Sequence, residues 1–84
     1  MKPATQINLD AFNAQLEIEY TSLFKTPEYE YSAARNTPAQ LARKMTLALD
    51  NGTGNKDGDG IKRTCKHFKI PHTYKAIREF LSAQ

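Results

Sequence analysis

Apolar residues recur every three or four positions along most of the chain, a spacing that predicts helices. In the first stretch Phe12, Leu16, Tyr20 and Leu23 or Phe24 form one stripe, which Leu9 joins. Asn13, Gln15, Glu17 and Glu19 fall on the wet side, and Ile18 lies off the stripe. Asn8 and Asp10 are short acceptors suited to capping, so a helix is expected from one of them to about Phe24, after a lead-in over residues 1–7. Two Thr-Pro starts follow, Thr26-Pro27-Glu28 and Thr37-Pro38-Ala39-Gln40, each pairing a capping hydroxyl with proline at the first helical position. The first predicts a short helix over 27–35, with Tyr29, Tyr31, Ala33 and Ala34 packed on the first helix. The second predicts a helix over 38–49, with Leu41, Met45, Ala48 and Leu49 inward and Arg43 and Lys44 outward. Asn51 or Gly52 is expected to end it in the left-handed conformation.

Residues 51–60, N-G-T-G-N-K-D-G-D-G, hold all four glycines and nothing suited to a core, which predicts a flexible loop. Beyond it Ile61, Cys65 and Phe68 fall at i, i+4 and i+7, with Lys62, Lys66 and Lys69 one residue later. An apolar stripe therefore runs beside a basic one. Tyr74, Ile77 and Leu81 give a second stripe, with Lys75 and Arg78 off it. Pro71 cannot continue the first of these helices and suits the first turn of the second. No period-2 run of β-branched residues predicts a strand. The expectation is an all-α chain of four to five short helices in one compact domain: a scaffold over 1–50, the loop over 51–60 and a basic helical pair over 61–84.

The pair resembles a helix-turn-helix DNA-binding unit over residues 61–82. Cys65 is the small residue of the first helix, Phe68 the hydrophobe near its end and Ile70 the turn residue, with His72 and Thr73 opening the second helix. Lys69 stands where many such units carry a turn glycine. The resemblance implies a second helix that enters the major groove and meets base edges near its N-terminus. In size and make-up the chain is also similar to small bacteriophage and mobile-element proteins.

Charge sharpens this picture. The net charge of +3 conceals a division: residues 1–60 hold six Lys or Arg and eight acids, whereas 61–84 hold six Lys or Arg and Glu79 alone. A −2 half next to a +5 half is the electrostatic footprint of a partner for a polyanion. Lys62, Arg63, Lys66 and Lys69 are the expected phosphate contacts, and His72, Thr73, Lys75 and Arg78 the expected groove contacts. Double-stranded DNA is the expected partner and transcription regulation the expected role. A single small module binds weakly, so a homodimer or a protein partner would complete it. The competing expectation is a small non-enzymatic inhibitor or interaction protein that binds a larger macromolecule, with Tyr29 and Tyr31 as its contacts.

Catalytic and metal readings find little support. Asn55, Asp57 and Asp59 before Gly60 imitate the opening of an EF-hand loop, but Lys66 stands where a bidentate Glu is required. A polar turn, with Asp59 capping the next helix, is the expected role. Cys65 and His67 are two apart and point away from each other on a helix, so with His72 they make no metal site. Cys65 is expected to be a small buried hydrophobe. No phosphate-cradling loop or nucleophile elbow occurs, so neither an enzyme nor a cofactor is expected. No run approaches the roughly 18 apolar residues of a membrane span. A lone cysteine and an N-terminus without a signal-like stretch make the cytoplasm the expected compartment.

Overall fold

The computed structural model describes residues 4–83, and side chains from Ile7 onward; the expected lead-in at residues 1–3 lies outside that range. Five helices form it: α1 (Ala4–Leu23), α2 (Glu30–Arg35), α3 (Pro38–Asp50), α4 (Asp59–Phe68) and α5 (Tyr74–Ser82), with a 3-10 turn at Pro27–Tyr29. No strand occurs among the described residues. The fold is all-α, as the periodicity predicts.

The core is built around α1, against which α3, α4 and α5 all pack. Phe12, Leu16, Tyr20 and Leu23 are buried along it, and Ile61, Cys65, Ile77 and Leu81 close the core from α4 and α5. Every one of these positions comes from an expected stripe. Phe12, Phe68 and Phe80 join three helices in one aromatic cluster, with Phe68 and Phe80 at 4.8 Å between ring centroids. Ile18 stays 61% exposed.

Several local expectations shift. α1 begins at Ala4, a full turn before Asn8. The Asn8 amide instead donates to the Phe80 and Ala83 carbonyls, at 2.9 and 3.3 Å, and so satisfies the C-terminal end of α5. Thr26 makes no cap bond; its hydroxyl donates back to the Leu23 carbonyl at 2.7 Å, and Pro27 opens a 3-10 turn. Thr37 forms the full capping box with Gln40. Tyr29 packs on Tyr20 and Phe24, but Tyr31, Ala33 and Ala34 are exposed and α2 buries no residue. Positions two apart on a helix cannot share a face, so Tyr29 and Tyr31 part company. On α3 the buried stripe is Ala42, Thr46 and Leu49, with Leu41, Met45 and Ala48 at its margin.

Candidate nucleic-acid interface

The last two helices are fixed by their caps. α4 ends at Lys69, which takes the left-handed conformation (φ 59°) normally left to glycine. Its N–H reaches the Lys66 carbonyl at 3.1 Å and that of Ile70 reaches Cys65 at 3.0 Å, so the carbonyls at the helix end are satisfied. The lysine thus performs the backbone role of the turn glycine and adds a cation at the corner. α5 starts at Tyr74, three residues later than Pro71 suggests, because the Thr73 hydroxyl accepts from the Ala76 N–H at 3.1 Å. Pro71, His72 and Thr73 therefore form the connection.

At the start of α4 the N-cap is Gly58, and Asp59 sits inside the first turn, where the helix dipole favours a carboxylate. Gly60 is buried against Tyr20, and the buried Thr64 hydroxyl donates to the Gly60 carbonyl at 2.8 Å. This close seat of α4 on α1, with Ile61 and Cys65 also buried, leaves the opposite face of α4 outward. Lys62, Arg63, Lys66 and His67 are all exposed, and Lys69 continues their surface. Lys62 and Lys66, like Arg63 and His67, stand four residues apart and are neighbours on the outer face. His67 was absent from the expected set, though its spacing from Arg63 marks it.

The expected groove contacts divide. Thr73, Lys75 and Arg78 are exposed, Arg78 with its guanidinium near Gly52, whereas His72 is half-buried against the glycine-rich segment. That segment is tied down. Gly52 takes the left-handed cap (φ 77°), and the Thr53 N–H and hydroxyl both reach the Ala48 carbonyl, at 2.8 and 3.0 Å. The Tyr74 hydroxyl donates to the Gly54 carbonyl, and the Lys56 ammonium lies 5.9 Å from the Tyr74 ring centroid. Nδ1 of His72 is 3.3 Å from the Asp57 carboxylate, a close contact without hydrogen-bond geometry. Lys56 hydrogen-bonds the same carboxylate at 3.1 Å and, as the main cause, holds Asp57 below the usual carboxylate range. The Arg78 guanidinium lies beside Gly52, just past the C-terminus of α3, where the helix dipole favours a cation.

Electrostatically the interface is one-sided. Among the described residues, none of Lys62, Arg63, Lys66, Lys69, Lys75 and Arg78 enters an ion pair. Cys65 is 1% exposed and burial pushes its thiol up to about 11, so it packs as an apolar residue. No helix among the described residues is long and apolar enough to cross a membrane. Comparison with protein-family models, curated proteins and solved structures finds no match.

Proposed function

We propose that this chain is a small DNA-binding protein that engages the phosphates of duplex DNA through its basic C-terminal helical pair. The observation that carries the reading is the outer face of α4 with the Lys69 corner, where exposed cations cluster and, among the described residues, none enters an ion pair. Cations left uncompensated in this way release counterions from a nucleic-acid backbone on contact, and that release drives binding. The acidic residues sit mainly in the scaffold, which leaves the field of the molecule polarised.

The test is fluorescence anisotropy with random-sequence duplex DNA at 50 and 200 mM salt, for the wild type and for Lys62→Glu/Lys66→Glu/Lys69→Glu. Tight binding that weakens steeply with salt and disappears in the triple variant is expected. No binding by the wild type at the lower salt would sink the proposal. A second reading, a small interaction protein, is favoured by Ile7, Ile18 and Tyr31, which are 63%, 61% and 71% exposed. In that case DNA binding would be absent, and Tyr31→Ala or Ile18→Ala would abolish capture of the protein partner.

A further inference from the structure

Resting on the DNA reading, we infer that the 51–58 segment sets the mode of binding: it clamps the start of α5, so that α4 tracks the duplex backbone and no base sequence is read. In a helix-turn-helix unit the residues at the N-terminus of the second helix must be free to reach base edges. Here two contacts hold that end against the segment: Tyr74 to Gly54 and His72 to Asp57. Arg78, whose fork best suits guanine, lies a full turn further along α5, with its guanidinium beside Gly52.

The outward side of α5 offers little in exchange. Lys75 and Glu79 are both exposed and share one face at i, i+4, so a carboxylate stands among the groups that would approach DNA. α4 carries a larger positive excess, with Lys62, Arg63 and Lys66 facing out and one acid, Asp59, four residues before Arg63. From Lys62 to Lys69 the chain covers about 10 Å, which spans the axial rise of about three successive phosphates on one strand. Single strands are poorly served. Binding them draws on exposed stacking rings, but Phe68 and Phe80 pack on each other and the Tyr74 hydroxyl is held by Gly54. The exposed Tyr31 lies on α2 with the Arg35 guanidinium 3.4 Å from its ring centroid.

The experiment measures affinity for two 20-base-pair duplexes of unrelated sequence and one single strand of the same length, across a salt series. With Lys62, Arg63, Lys66 and Lys69 in contact, the slope of log affinity against log salt should be about −3.5. Lys66→Gln should make it shallower by about 1. The two duplexes should agree within about threefold and the single strand should bind more weakly, while Thr73→Ala and Arg78→Ala leave the slope and the agreement unchanged. A tenfold or greater preference between duplexes that Arg78→Ala or Thr73→Ala removes would overturn the inference and leave DNA binding standing. Preference for the single strand would overturn it equally. Failure to bind any of the three at low salt would remove the DNA reading itself, and this inference with it.

Discussion

Gly60→Ala is a small substitution with a large expected effect, because α4 meets α1 at this residue. A Cβ built on Gly60 would lie 3.0 Å from Cδ1 and Cζ of Tyr20 and closer still to Cε1. The ring has no room to retreat. Tyr20 is 4% exposed and is held by Phe24 and Tyr29, with centroids 5.9 and 6.1 Å away. Two effects oppose each other. Alanine in place of glycine within a helix gains up to about 1 kcal/mol of propensity. Overpacking a filled core costs about 1–3 kcal/mol, and displacing Tyr20 would also disturb Tyr29, whose ring packs on it. Steric cost wins, for a net loss of about 1–2 kcal/mol. In a domain of this size that lowers the melting temperature by about 5–15 °C. Thermal unfolding followed by circular dichroism reads it directly. Gly58→Ala is the control, since its Cβ would meet Asn55 at an ordinary 3.7 Å; replacing this N-cap glycine should cost only about 0.5 kcal/mol. A Gly60→Ala protein that melts at or above the wild type would refute the close α1–α4 contact.

Thr46 and Thr64 are both fully buried, yet only Thr64 uses its hydroxyl, which donates to Gly60; that of Thr46 has no partner among the described residues. Thr46→Val should therefore stabilise the fold by about 1 kcal/mol and Thr64→Val destabilise it by a similar amount, with urea denaturation as the measure; two shifts of the same sign would contradict this contrast. The thiol of Cys65 ionises near 9.0 when exposed and near about 11 in the fold, where burial disfavours the thiolate. Above about pH 9 the unfolded chain sheds a proton that the folded chain keeps, so stability is fully present below that pH and falls by about 2 kcal/mol by pH 11. Cys65→Ala should flatten the profile between about pH 9 and 10, leaving the decline that sets in above about pH 10 from Tyr20 and Tyr29, whose hydroxyls are raised chiefly by burial. Retention of the full slope in Cys65→Ala would assign it elsewhere.

Much of the architecture was legible in the residue pattern. The inner faces of α1, α4 and α5 follow from periodicity alone, because a helix in a small domain gains stability chiefly by burying one stripe, and Phe12, Leu16, Ile61, Cys65, Ile77 and Leu81 obey that rule. Thr37-Pro38 with Gln40 marked its helix start through contacts within one turn. The cations of α4 were legible for the same local reason: positions opposite a buried stripe must face water.

Tertiary structure decided what local spacing does not encode. Asn8 looked like the cap of its own helix but serves the end of α5, 72 residues away. Gly60 read as slack in a loop and became the closest approach of two helices, since the absence of a side chain acquires meaning only when another helix arrives. The glycine-rich segment looked free because it has no apolar residue to bury. It is held instead by backbone carbonyls and polar side chains, to Ala48, Tyr74 and His72, and these partners become neighbours only when α3 and α5 are brought together. Sequence determined which surface is basic; the packing of that segment decided which of its side chains carry contacts within the fold.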